Sequence, residues 1–259
     1  LGIGILIPVF PMLVVPNSPF RVTPDSWSAA EGFIMLGWLM TSFPLAQFFC
    51  SPILGQLADR FGRRRVLALS ISGTACSYVL FAIGVISKNI PLMFIARALD
   101  GASGGNISVA QAVIGDISSP QNRAKNFGMV GAAFGLGFIV GPAIGGALGN
   151  IDVHLPFYAS AGLTMLNALY GYFVLPESLS LANRRPFNWK RANPFGSLKH
   201  MSRYHPLVLG LIAGYFCIQL ASQAHPSTWS YFTMKVFNWS PDEVGYSLAF
   251  VGLIVAIVQ

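Results

Sequence analysis

Apolar stretches recur along the 259 residues so regularly that they leave the chain few folds to choose from. Eight can be drawn, at 1–15, 32–54, 66–86, 90–115, 126–149, 155–175, 206–224 and 244–259. A helix needs about 20 apolar residues to cross a bilayer. In lipid every backbone polar group must find its partner within the segment, so all eight are expected to be helical. Composition supports this: 54% of residues are hydrophobic and only 10% are charged, against about 25% charged in a soluble domain. The reading is an all-α, multi-pass membrane protein. The first and last runs fall short of a span and no methionine begins the chain, so a fragment cut within one span at each end is expected. Pro8, Pro11, Pro44, Pro52 and Pro142 lie in or near spans, where membrane helices tolerate proline.

The formal net charge of +7 is explained by topology and requires no nucleic acid. If the turn at 55–65 is cytoplasmic and loops alternate from there, that side holds Arg60, Arg63, Arg64, Arg65, Arg123, Lys125, Arg184, Arg185, Lys190, Arg191, Lys199 and Arg203. The opposite side, with loops at 16–31, 87–89, 150–154 and 225–243, holds Arg21, Lys88 and Lys235. Such asymmetry is the positive-inside bias of membrane proteins. Residues 176–205 form a long basic stretch with prolines and with Phe187, Trp189 and Phe195. They are expected to be a cytoplasmic linker, partly amphipathic and lying at the membrane surface. Three units follow: a six-helix bundle at 1–175, the linker at 176–205, and the first two helices of a second bundle at 206–259.

Within this greasy frame the stretch 55–66, GQLADRFGRRRV, packs one aspartate and four arginines into a turn. Gly55 lets a helix end approach a neighbour, and Gly62 permits a tight turn. Asp59 can accept hydrogen bonds from arginines or from a helix N-terminus. Together with Asp116, at the end of the fourth span, the cluster could latch two helix bundles in one conformation. A plain positive-inside anchor would account for Arg60, Arg63, Arg64 and Arg65 but not for the glycines and the aspartate at these spacings.

The fourth span embeds two charges, Arg97 and Asp100, about 10 and 15 Å from its start at 1.5 Å per residue. Each costs roughly 3 kcal/mol or more at the centre of a span, so both should face protein or water. At helical spacing Arg97, Asp100, Gly104, Ser108, Gln111 and Gly115 form one polar or small stripe, suited to lining a central cavity. A self-neutralising structural pair is the plainer alternative. The fifth span, GMVGAAFGLGFIVGPAIGGALG, sets Gly137, Gly141, Gly145 and Gly149 every fourth residue, a smooth face for close packing. Its GxG is no dinucleotide loop, because no strand precedes it. Cys50, Cys76 and Cys217 lie in apolar runs without metal-ligand spacing. His154, His200, His205 and His225 fall in loops or at span ends, with no nucleophile beside them, so neither an enzyme nor a metal site is indicated.

The 55–65 pattern, complete at Gly55, Asp59, Arg60, Gly62, Arg63, Arg64 and Arg65, resembles the loop 2–3 signature of the major facilitator superfamily. Gly128, Gly137, Gly141, Pro142, Gly145 and Gly146 match the pattern Gly-x8-Gly-x3-Gly-Pro-x2-Gly-Gly, similar to the signature of its drug:proton antiporter branch. The segments GIGILIPVFP, RALDGASGGNISVAQAVIGDI, LPES and QLASQAHPSTW look like tetracycline-resistance-type efflux pumps and their multidrug relatives.

The resemblance implies the major facilitator fold, here the six-helix N-terminal bundle plus the first two helices of the C-terminal one. It implies an alternating-access pump, able to act as a monomer in the cell membrane (the inner membrane of a Gram-negative host). Such a pump exchanges drug-like small molecules for protons and needs no cofactor beyond the proton gradient. Arg97 and Asp100 are then the proton-coupling candidates, and Gly104, Ser108, Gln111, Gln219 and Gln223 the substrate-cavity candidates. Ser77 stands where tetracycline pumps carry an acidic residue in the third span. A metabolite or sugar carrier of the same superfamily is the alternative, followed by a passive channel or a non-transporting membrane scaffold.

Overall fold

The computed structural model describes residues 2–15, 18–189, 192–196 and 206–258, with side chains except at 3, 223–227 and 255–258. Every regular element among them is helical. In chain order these are α1 (Gly2–Leu6), a 3-10 turn (Phe10–Leu13), α2 (Ala29–Phe61), α3 (Arg63–Ile86), α4 (Ile90–Ser103), α5 (Asn106–Ile117), α6 (Arg123–Ile151) and α7 (Leu155–Phe173). A 3-10 turn (Leu181–Asn183), α8 (Pro206–Val236) and α9 (Pro241–Val258) complete the set. By length and composition α2, α3 and α6 are each able to cross a membrane, and α8 opens with a shorter apolar stretch, Pro206–Ser222.

Local chemistry sets several boundaries. Ser28 and Glu31 form a reciprocal cap at the start of α2: the Glu31 N–H donates to Ser28 Oγ at 3.3 Å and the Ser28 N–H donates to Glu31 Oε2 at 2.7 Å. Asn89 Oδ1 accepts the Leu92 N–H at 3.0 Å to start α4. Between α2 and α3 the chain turns on one residue, Gly62, whose φ of 102° lies in the left-handed region.

Several expected boundaries move. The expected turn 55–65 shrinks to Gly62, because α2 runs on to Phe61 and α3 begins at Arg63. The run 1–15 is not one helix: α1 stops at Leu6 and the chain re-forms as a 3-10 turn with Pro11 in its first turn, because proline lacks the N–H a continuous helix needs. The expected loop 16–31 yields its last residues to α2, which its serine cap starts at Ala29. The span 90–115 is broken into α4 and α5 at Gly104–Gly105. The helix expected to end at 224 continues to Val236, leaving 237–240 of the expected loop 225–243 between α8 and α9. The polar residues there lowered the hydropathy without stopping the helix.

Two apolar cores hold α1–α5 and α7, while α6 packs through its glycines. One joins Leu6, Phe10, Leu36, Phe81, Met93 and Phe157, with the rings of Phe10, Phe81 and Phe157 mutually packed at 5.1–6.3 Å between centroids. The other, at the arginine-rich end, joins Ala58, Val66, Leu67, Ile71, Val109 and Ala168. Helix α3 packs on α4 and α7, α2 packs on α4, and α6 lies between α1 and α9.

Candidate functional site

The buried charges form a pair. Arg97 Nη1 donates to Asp100 Oδ2 at 2.9 Å, and each side chain is 5% exposed. The guanidinium lies 5.8 Å from the ring centroid of Phe10 and 4.9 Å from that of Phe43, within cation–π range. Its Nε is buried without a hydrogen-bond partner. A narrow cleft beside the pair is lined by Leu6, Phe10, Ser77, Tyr78, Phe81 and Ala96. The pair therefore faces α1, α2 and α3. Two opposite charges removed from water persist only by satisfying each other, and any proton added to the carboxylate would weaken its hold on the arginine.

The stripe drawn from Arg97 to Gly115 assumed an unbroken helix, and it crosses the break between α4 and α5 at Gly104–Gly105. Arg97, Asp100 and Gly104 are buried, whereas Ser108 and Gln111 are exposed. Gln219 on α8 is also exposed, and the side chain of Gln223 lies outside the described residues. The substrate-cavity candidates are thus divided between the bundle interior and helix surfaces. Sequence reasoning missed Gln47 of α2, whose Nε2 donates to the Gly104 carbonyl at 2.7 Å. An amide embedded in the run PLAQFFC was the available signal.

A second charge cluster sits at the arginine turn. Arg63 bridges Asp59 of α2, through Nη1 at 2.9 Å, and Asp116 of α5, through Nε at 3.1 Å. Asp116 also accepts from Ser178 Oγ at 3.1 Å. The backbone N–H of Arg63 donates to Glu177 Oε1 at 2.9 Å, and Arg184 lies 4.0 Å from the same carboxylate. Three arginines at the start of α3 oppose the positive end of its dipole; Glu177, from the LPES segment, supplies the missing negative charge. Any side chain at Gly62 would collide with Glu177 and Arg184. Arg64 donates through Nε at 2.7 Å and through Nη2 to the Tyr172 carbonyl near the end of α7. Arg60 and Arg65 are exposed. Gly55 was expected to admit a close neighbour; among the described residues nothing lies within 4 Å of a Cβ built on it. The described cluster ties α2, α3, α5 and the segment after α7 together; among the described residues it does not reach α8 or α9. Lys190, Arg191, Lys199 and Arg203 lie outside the described residues.

The glycines of α6 serve two neighbours at once. A methyl group on Gly145 would collide with the Ile5 backbone of α1, and Gly4 of α1 faces Gly137 and Gly141. On the other flank, a Cβ on Gly146 would come within 2.5 Å of the Pro241 carbonyl, and Gly245 of α9 packs on Pro142. Among the described residues nothing lies within 4 Å of a Cβ built on Gly128.

The sequence profile described as Major Facilitator Superfamily matches residues 1–259. Tetracycline resistance protein, class C, of Escherichia coli is 37% identical over 258 residues, covering 100% of this chain and 62% of that protein. Tetracycline resistance protein, class B, also of Escherichia coli, is 35% identical over 259 residues, covering 100% and 61%. The chain thus spans about three fifths of the length of these curated relatives. The crystal structure of the human organic anion transporter MFSD10 (TETRAN) superposes with a TM-score of 0.71 at 24% identity, covering 100% of this chain and 69% of that one. At that identity the likeness speaks to the fold.

Proposed function

The chain belongs to the Major Facilitator Superfamily, and from that premise we propose that the whole protein is a proton-coupled antiporter. It exports tetracycline-type or other amphipathic drugs by alternating access. The arginine-rich end faces the cytoplasm, and residues 1–175 and 206–259 belong to two bundles that rock about a central path. The glycine-on-backbone contact of α6 with α9 lies on the seam between them. The Arg63 cluster stiffens the cytoplasmic end of the first bundle in one of the two states.

One observation carries the coupling role: an aspartate and an arginine, 5% exposed, paired in the interior of a membrane bundle. Intramembrane ionisable groups mark ion and substrate pathways. Protonation of Asp100 removes the charge that holds Arg97, and release of the proton restores it. Ser77, at the position where the resembling pumps carry an acid on the third span, lines the same cleft. Asp100 therefore brings a carboxylate from α4 to the place where those pumps have one on α3.

The test is efflux by the full-length protein in vesicles with an imposed pH gradient, comparing tetracycline with lipophilic cations. Asp100→Asn should abolish gradient-driven efflux while the protein remains in the membrane in normal amount. Coupled efflux persisting in that variant would move the role to another carboxylate.

A further inference from the structure

Phe43, Gln47 and Ser51 stand four residues apart on α2, on one face of the helix. They address three successive stations of α4 and α5. The Phe43 ring lies 4.9 Å from the Arg97 guanidinium, Gln47 donates to the Gly104 carbonyl at 2.7 Å, and Ser51 Oγ lies 3.5 Å from Ser108 Oγ. The middle station is where the fourth span breaks. No proline causes that break. It falls where the backbone of α2 presses closest: a side chain on Gly101 would collide with the Phe43 carbonyl, and one on Gly105 would come within 2.9 Å of Ser51 Cα.

Because α5 takes Gly105 as its N-cap, the Gly104 carbonyl falls just outside its hydrogen-bond ladder. Among the described residues, the Gln47 amide is the side-chain donor to that carbonyl. A broken helix inside a transporter bundle is tolerated where neighbouring groups re-satisfy the freed backbone, and Gln47 performs that task from across the helix pair.

We propose that Gln47 is a positioning residue for coupling: it pins the α4–α5 break. In doing so it fixes the angle between α4, which carries Arg97 and Asp100, and α5, whose last turn sets Asp116 on Arg63. A rearrangement at the buried pair then travels along α5 to the arginine turn. This rests on the coupling role of Asp100 proposed above. On the elements packed against α2, the titratable groups near this level are Arg97 and Asp100 of α4 and Tyr78 of α3; α5 carries none before Asp116.

The experiment uses full-length protein in proteoliposomes, freed of its native cysteines, with Ile107→Cys on α5 as a reporter for a water-soluble maleimide. With Gln47 present, imposing a pH gradient should change the labelling rate of the reporter. Gln47→Leu should erase that change and lower the maximal rate of gradient-driven efflux at least tenfold, with KM within twofold. Gln47→Glu keeps the shape but can donate to the carbonyl only when its carboxyl is protonated. Its labelling response and efflux should therefore recover on the acid side, giving a pH profile that the parent lacks. If Gln47→Leu fails to reach the membrane, the Gln47→Glu profile carries the test alone. A leucine variant that labels and transports like the parent overturns the proposal, and so do leucine and glutamate variants that fall equally at every pH. Asp100→Asn in the same background separates the two ideas: coupled efflux intact there removes the coupling reading, whatever Gln47 does.

Discussion

The same two residue types meet twice in this protein, in settings that make them different objects. Arg97 and Asp100 are joined at 2.9 Å with both side chains 5% exposed, against phenylalanine rings. Arg63 meets Asp59 and Asp116 at 2.9 and 3.1 Å, but its partners are 30% and 26% exposed and further polar groups crowd around. The distances barely differ, so distance does not set the energetics; access to water does. In the interior, removing one partner strands a charge that nothing else can solvate. At the arginine turn, water and salt replace a lost partner cheaply. The first arrangement suits a switch with two well-separated states. The second suits a contact made and broken many times.

The largest effect is expected at the buried pair. Asp100→Ala should lower stability by about 3–5 kcal/mol, the cost of an uncompensated buried charge, read as a fall in the melting temperature of detergent-solubilised protein. The double variant with Arg97→Ala should be less damaged than the sum of the two single changes. Additive losses would show that the two groups do not depend on each other. Asp116→Asn should cost only about 0–1 kcal/mol, and raising ionic strength to ~1 M, where the screening length is ~3 Å, should shrink the difference further. A large, salt-insensitive loss would place that cluster with the buried pair.

The smallest effect belongs to an open pair at the α6–α7 junction. The backbone N–H of His154 donates to Asp152 Oδ1 at 2.7 Å and, with the His154 ring at 2.6 Å, holds that carboxyl below the usual carboxylate range. A depressed carboxyl contributes stability above its unfolded value and loses it as pH falls through the folded one. Asp152→Asn should therefore melt slightly lower than the parent near neutral pH, with the gap closing in acid. A gap that widens in acid would reverse the sign.

Much of the site was legible in the sequence because charge inside an apolar run is conspicuous. Arg97 and Asp100 announced themselves, and the spacing of three placed them on the same side of a helix. Asp116 was linked to the arginines by its place at the end of the same span. What stayed hidden had weaker local signals. The break at Gly104–Gly105 could not be read from the glycines alone, since Gly137, Gly141 and Gly145 sit inside the unbroken α6.

Sequence alone determined that this chain is helical and membrane-embedded, with its arginines gathered at one turn, because those properties follow from the cost of placing backbone and charge in lipid. It took packing in three dimensions to bring Glu177 to the N-terminus of α3, Gln47 to the carbonyl freed at Gly104, and one glycine helix against both α1 and α9. Each of these is a meeting between residues far apart in the chain. Their partners are chosen by the geometry of packed backbones, which no local run of residues encodes.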